Sequence, residues 1–114
     1  KFIRRLTPLE CERLQGFPDN WTDIGEWTDS NGKVHKESAN TGRYKAMGNS
    51  IALPPWRWVL SRLYKQFGRP ATMASLFDGV GGFPLIGREL GGETLWASEI
   101  ESFPIAVTKR RLGE

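Results

Sequence analysis

The sequence predicts an α/β chain: a β-α-β-α half of a Rossmann-like parallel sheet, preceded by a helix, a β-hairpin and a second helix. Two observations carry the sheet half. The apolar, strand-like run Ala74-Ser75-Leu76-Phe77-Asp78 leads straight into Gly79-Val80-Gly81-Gly82-Phe83, and a helical pattern follows. Then Trp96-Ala97-Ser98-Glu99 forms a second apolar run ending in an acid, 17 residues beyond Gly82. Strand, glycine turn, helix and acid-tipped strand is how a doubly wound sheet opens around a nucleotide-type cofactor. The glycines allow close backbone approach to a ligand, and the acid can accept bonds from ribose hydroxyls. The spacing is not G-x-G-x-x-G, and no G-x-x-x-x-G-K-[ST] occurs. The ligand expected is therefore a nucleoside-type cofactor without a pyrophosphate.

The elements can be justified in order. Leu6-Thr7-Pro8-Leu9-Glu10 reads as a helix start, with Thr7 as cap, Pro8 at the first helical position and Glu10 completing a capping box. Gly16 should end that helix, with Pro18 beyond. Asn31-Gly32 between the β-prone runs Trp27-Thr28 and Val34-His35 predicts a hairpin. The polar stretch through Asn40-Thr41-Gly42 predicts a loop. A helix should start near Pro54-Pro55 and end by Gly68, burying Trp56, Val59, Leu60, Leu63 and Phe67 as one stripe. Gly68-Arg69-Pro70-Ala71-Thr72 reads as a turn-like seam. After it come a strand over 74–78, a helix from about Phe83 to Leu90 stopped by Gly91-Gly92, a strand over 94–98, and a helix capped by Ser102 with Phe103, Ala106 and Val107 inward.

Composition limits the function classes. The chain has 114 residues, 39% of them hydrophobic, with five tryptophans, enough for one small domain or a piece of a larger one. Net charge is +3 and the pI about 9.3, compatible with nucleic acid without demanding it. A single cysteine excludes an internal disulfide framework and points to a reducing, cytoplasmic compartment. No apolar run reaches the ~20 residues that span a membrane. His35 has no second metal ligand near it in sequence and reads as a solvent-facing hairpin residue, so no metal is expected.

These residues resemble the DNA (cytosine-5) methyltransferases. Leu76-Phe77-Asp78-Gly79-Val80-Gly81-Gly82-Phe83 is similar to the family's first motif, which wraps the methionine end of S-adenosyl-L-methionine. Ser98-Glu99-Ile100-Glu101 is similar to the second, whose acid holds the ribose. Arg4-Arg5-Leu6-Thr7-Pro8-Leu9-Glu10 with Arg13-Leu14-Gln15-Gly16-Phe17-Pro18 resembles the ninth, and Tyr44-Lys45-Ala46-Met47-Gly48-Asn49-Ser50-Ile51 the tenth, which closes the cofactor pocket. The resemblance implies a partial S-adenosylmethionine-dependent methyltransferase fold. It assigns cofactor contacts to Phe77, Asp78, Gly79, Val80, Gly81, Gly82, Glu99, Ile100, Asn49, Ser50 and Ile51, with Asn49 and Ser50 also capping a helix N-terminus. Arg4, Arg5 and Arg13 are candidates for nucleic-acid or interdomain contacts. Lys109-Arg110-Arg111 reads instead as a solvated helix end complementing the helix dipole. Trp56 should be core, and Trp58 a surface that another part covers.

Two departures shape the functional expectation. The tail motifs, in a segment over 1–68, precede the head motifs, in a segment over 74–114, across a seam at 69–73. That is the order of a circular permutation, although Met73 also resembles a conventional start joined to an upstream tail. Furthermore, the family's nucleophile sits in a Pro-Cys dipeptide and its acid in Glu-Asn-Val, and neither occurs here. Cys11 lies between Glu10 and Glu12, where negative charge opposes a thiolate, and reads as a packing residue. The resemblance therefore implies the cofactor-binding portion of a bacterial or phage-type enzyme that methylates C5 of cytosine in duplex DNA, inactive alone. A non-enzymatic subunit completing a split methyltransferase is the alternative. Expected partners are DNA through the complete enzyme, the missing catalytic part or a complementing chain, and a second copy of the chain.

Overall fold

The computed structural model describes residues 3–68 and 71–113. The first helix, α1 (Pro8–Gln15), forms where side chains replace missing helical bonds. Thr7 Oγ1 accepts from the Glu10 N–H at 3.2 Å, and the Glu10 carboxylate accepts from the Thr7 N–H at 2.8 Å. Gly16 closes the helix at φ +84°, and a methyl group there would lie 2.6 Å from Pro54 Cδ. Glycine is thus required at this position by conformation and by space.

β1 (Trp27–Thr28) and β2 (Val34–His35) form the hairpin, with Trp27 opposite His35. Its turn is wider than a two-residue Asn-Gly loop. Asp29 N–H bonds Lys33 O, Gly32 takes φ +83°, and Asp29 Oδ1 accepts from the Asn31 and Lys33 N–H groups.

The polar stretch at 40–42 is not a loop but the start of α2 (Asn40–Gly48). Asn, Thr and Gly are poor helix formers, so packing decides here: Arg43, Ala46 and Met47 are buried on one face. α3 (Leu53–Phe67) ends at Gly68, φ +64°, as expected. Its burial differs from the expectation. Leu53 and Tyr64 are buried and Leu60 partly so, while Trp56, Val59, Leu63 and Phe67 remain exposed. Trp56 is thus not core, although its ring meets Phe83 edge-on at 5.3 Å. The amphipathic pattern is real, but no described element of this chain covers the stripe. Trp58 is exposed, with the Arg62 guanidinium over its ring, 4.2 Å from the centroid.

β3 (Thr72–Ser75) and β4 (Glu93–Ala97) form a two-stranded parallel sheet with an irregularity beside Leu95. β3 starts and stops earlier than predicted, because Phe77 takes φ +51° and cannot continue a strand. α4 (Gly82–Glu89) connects them, and Gly91 at φ +83° ends that connection. Arg69 and Pro70 of the seam lie outside the described residues. The end of α3 nevertheless sits beside the start of β3: methyl groups at Gly87 and Gly92 would meet the Tyr64 ring together with Met73 and Ala71 respectively. α5 (Ser102–Leu112) has Glu101, not Ser102, at its N-cap position. The Ser102 hydroxyl instead bonds Ser30, because the hairpin turn packs there.

One buried carboxylate organises the first half. Glu12, fully buried, accepts from the Asn20 N–H (2.9 Å), the Thr22 N–H (2.8 Å), the Thr22 hydroxyl and, at 3.4 Å, the Arg43 guanidinium. The loop so fixed reaches the second half. Trp21 Nε1–H donates to Val80 O at 2.7 Å. Arg111 donates to the carbonyls of Asn20, Trp21 and Asp23, and Arg110 to those of Ile24 and Glu26. These arginines are therefore not a merely solvated helix end. The core joins Phe17, Trp21, Ile24, Ala46, Met47 and Leu53 to Val80, Leu85, Ile86 and Val107.

Arg43→Met should lower unfolding free energy by about 3–5 kcal/mol in urea denaturation, since it strands the buried Glu12 charge. A loss comparable to that of an exposed arginine would refute the role given to this pair. Glu10 offers a second check. The Arg4 fork, then the Thr7 N–H, hold its carboxyl down at about 2. Its stabilising contribution should be complete above the ordinary carboxylate range and disappear as pH falls toward 2. An NMR titration should find that midpoint, and Arg4→Ala should move it upward.

Candidate functional site

A cavity of about 490 Å³ opens where the two halves meet. The first half contributes Trp27, Asp29, His35, Lys45 and Asn49, and the second half Phe77, Gly79, Glu99 and Phe103. Of the glycine turn after β3, Gly79 lines it. Glu99 defines that turn: Oε1 accepts from the Gly79 N–H at 3.0 Å and Oε2 from the Glu101 N–H at 2.7 Å. Asp78 is buried, accepts from the Ser75 hydroxyl at 2.7 Å, and donates its N–H to Ser98 O at 2.8 Å. Phe77 is the opposite case. Its ring is 92% exposed at the cavity rim, on a left-handed backbone that a bulky residue adopts only at a cost.

The residues singled out from sequence divide in two. Asn49, Phe77, Gly79 and Glu99 share the cavity lining. Val80, Gly81, Gly82 and Ile51 lie behind it, in packing. Val80 is 1% exposed, and a methyl group on Gly82 would lie 3.0 Å from Leu53 Cδ2 and 3.3 Å from Ile51 Cγ1. One on Gly81, at φ +84°, would lie 2.8 Å from Leu112 Cδ1. Ile100 is 90% exposed and Ser50 half-buried, outside the lining. Asn49 is the C-cap of α2 rather than part of a helix N-cap pair, because the unforeseen α2 ends there. Ala52 holds the N-cap position of α3.

Three arginines considered for nucleic acid have partners within the chain. Arg4 grips Glu10 with two 2.7 Å bonds, Arg13 grips Asp19 at 2.9 and 2.7 Å, and Arg5 lies over the Tyr44 ring at 4.0 Å. Cys11 is half-buried against the core.

His35 is not solvent-facing. Its ring stacks on Trp27 with centroids 4.3 Å apart and planes 9° from parallel, and Nε2 lies 3.0 Å from Asp29 Oδ2. That bond, helped by the Lys33 and Asn31 N–H groups and opposed by burial, holds the Asp29 carboxyl below its usual range. Sequence reasoning missed this wall, although Trp27 and His35 occupy facing hairpin positions where side chains meet. It missed Lys45 because that residue joins Asn49's face only once α2 is helical, four positions apart.

A family model described as C-5 cytosine-specific DNA methylase matches residues 1–65. The chain belongs to that family. The chain is 36% identical to the Type II methyltransferase M.HgiCI of Herpetosiphon aurantiacus, over 66% of its own length and 14% of that protein's. It is 32% identical to the DNA (cytosine-5)-methyltransferase DRM2 of Oryza sativa subsp. japonica, over 78% and 13%. It is 41% identical to a DNA N-6-adenine-methyltransferase of Escherichia phage P1, over 55% and 11%. The chain thus spans well under a fifth of each of these relatives. Among its described residues no helix is long and apolar enough to cross a membrane.

The two kinds of glycine should separate by substitution. Gly79→Ala meets open space and should lose only about 1–2 kcal/mol, from its φ of +61°. Gly81→Ala adds a clash with Leu112 and should lose more; equal losses in denaturant melts would refute the packing role.

Proposed function

We propose that this chain is the S-adenosyl-L-methionine-binding portion of a DNA (cytosine-5) methyltransferase and transfers no methyl group alone. One observation carries the reading: Asn49 from the tail-type segment and Phe77, Gly79 and Glu99 from the head-type segment line one cavity. The residues present fit the cofactor. The volume falls within the roughly 300–1,000 Å³ of small-molecule sites. Phe77 offers an uncovered apolar ring, Gly79 leaves room for close approach, and Glu99, already fixed by two N–H groups, retains acceptor capacity for a ribose diol. Acidic and aromatic walls suit a cationic nucleoside and give a pyrophosphate little to bind. Bound there, the cofactor supplies an activated methyl group; this chain's residues hold and orient it. The sheet half is then the opening of a Rossmann-like fold.

Permuted order is part of the proposal. The alignment with the rice relative runs over 89 residues, more than the 68 of the tail-type segment, so it includes residues on both sides of the seam. That favours a tail-before-head order in the relative as well. The base assignment follows the family model over residues 1–65 and the cytosine-directed name of the rice relative, against the adenine-directed name of the phage relative. The exposed apolar faces of α3 and β4, with Trp56, Leu63, Phe67, Leu95 and Trp96, favour a chain that works against further protein. They equally suit the reading as a complementing subunit of a split enzyme.

Calorimetry should find S-adenosylmethionine bound no tighter than the micromolar range, about −8 kcal/mol or less favourable. Phe77→Ala should weaken binding more than Glu99→Gln, which keeps one acceptor oxygen. A tritiated-methyl assay on mixed-sequence DNA should stay at background, unchanged by Cys11→Ser. Binding of NAD without S-adenosylmethionine, or methyl transfer abolished by Cys11→Ser, would overturn the proposal.

A further inference from the structure

We infer that the outer face of α3 is a docking surface for an amphipathic helix of another protein, one that carries carboxylates along a flank of its apolar side. The inference rests on α3 itself and stands apart from the cofactor pocket.

Val59, Leu63 and Phe67 follow one another at intervals of four and form a single ridge, with Trp56 beside its start. Each is between 42% and 53% exposed. Such a row is what inserts into the groove of a facing helix. From Trp56 to Phe67 the helix rises about 16 Å, so a partner helix of about twelve residues covers it.

The charge around the ridge decides the kind of partner. The 15 residues of α3 include three cations and no acid. Arg57 is spent on Glu89 of α4, 2.7 Å away. Arg62 and Lys65 have no carboxylate partner among the described residues, whereas Arg4 and Arg13 are neutralised by Glu10 and Asp19. Arg62 stands three residues after Val59, and Gln66 three after Leu63, so this flank borders the ridge directly. The Trp58 ring holds the Arg62 guanidinium at 4.2 Å and leaves its N–H donors free for an acceptor. A shallow depression of about 280 Å³ runs along the same flank, lined by Trp58, Ser61, Arg62, Lys65 and Gln66. Every polar side chain in it can donate a hydrogen bond and none carries negative charge, which suits a carboxylate. A second copy of the chain fits badly, because a two-fold contact lays this flank against itself and sets cation on cation. A nucleic acid would meet Arg62 and Lys65 but leave the ridge uncovered. A lipid surface asks for cations on both sides of the apolar face, and the other side of α3 packs on α4.

Fluorescence anisotropy on the full 114-residue chain tests this with two labelled helical peptides of about 14 residues. Both carry the same leucine ridge, and their polar positions are all Glu in one and all Lys in the other. The Glu peptide should bind at least tenfold tighter. Leu63→Ser with Phe67→Ser should weaken it at least tenfold, and Arg62→Gln with Lys65→Gln about fivefold. Lys33→Gln with Lys36→Gln removes equal charge from exposed positions near the hairpin and should leave binding within twofold. All the replaced side chains are exposed, and each variant should keep the wild-type urea midpoint. No binding of the Glu peptide, equal binding of both peptides, or equal weakening by the two charge removals would overturn the inference. So would a dimer in sedimentation that Leu63→Ser with Phe67→Ser dissolves, which assigns the ridge to a second copy. Binding of a labelled oligonucleotide or of phosphatidylglycerol vesicles lost on that same double substitution would overturn it in favour of nucleic acid or lipid. Any of these failures leaves the cofactor pocket as it stands.

Discussion

The buried Glu12 carboxylate is the interaction on which the rest of this structure hangs. A buried charge is tolerated only when its lone pairs are filled, and here the fillers come from three places at once: the loop after α1, the Thr22 side chain, and Arg43 on α2. The loop that satisfies Glu12 is thereby fixed. It then presents Trp21 to the Val80 carbonyl and offers its own carbonyls to Arg111 and Arg110. A chain of hydrogen bonds thus runs from the first helix to the last. A branch of it, from Trp21 to the Val80 carbonyl, reaches the glycine turn beside the cavity.

The cavity inherits its shape from this linkage. Gly81 and Gly82 have no side chain because Leu112, Thr108, Leu53 and Ile51 occupy the space a side chain would need. The turn is clamped from one side by α5 and from the other by the α2–α3 junction. Gly79 faces open space, and Glu99 ties its N–H group into place. Within one short motif, glycine serves packing at two positions and leaves open space at a third. Phe77 is held out from the core on a left-handed backbone, where an aromatic ring gains nothing from the rest of the chain.

The apolar surface left uncovered has a geometric cause. The chain spans 48 × 41 × 18 Å, a slab whose described residues form two sheets of two strands each. A slab that thin cannot bury both faces of its elements. The outer stripe of α3 and the side chains of Leu95 and Trp96 remain outside for that reason. Family membership is established over residues 1–65, and the relatives are several times longer than this chain.

Local chemistry was legible in the sequence wherever a few adjacent residues decide the outcome. Thr7, Pro8 and Glu10 start α1 and Gly16 ends it; Asn31-Gly32 turns the hairpin; Gly68 stops α3; Gly79 to Gly82 turn from strand to helix. The motif residues Asn49, Phe77, Gly79 and Glu99 could likewise be named as candidates from sequence and resemblance. Tertiary structure alone decided where satisfaction of one group depends on residues far along the chain. It made Asn40–Gly48 a helix because Arg43 had a buried carboxylate to meet. It turned Arg110 and Arg111 from a basic helix end into a clamp on distant carbonyls, and left the α3 stripe bare because nothing described in the chain packs on it. It also brought Trp27, Asp29 and His35 onto the cavity beside Asn49 and Phe77. Periodicity records which faces are apolar and turn residues record where the chain bends; which faces meet is a property of the closed packing, and no local pattern encodes it.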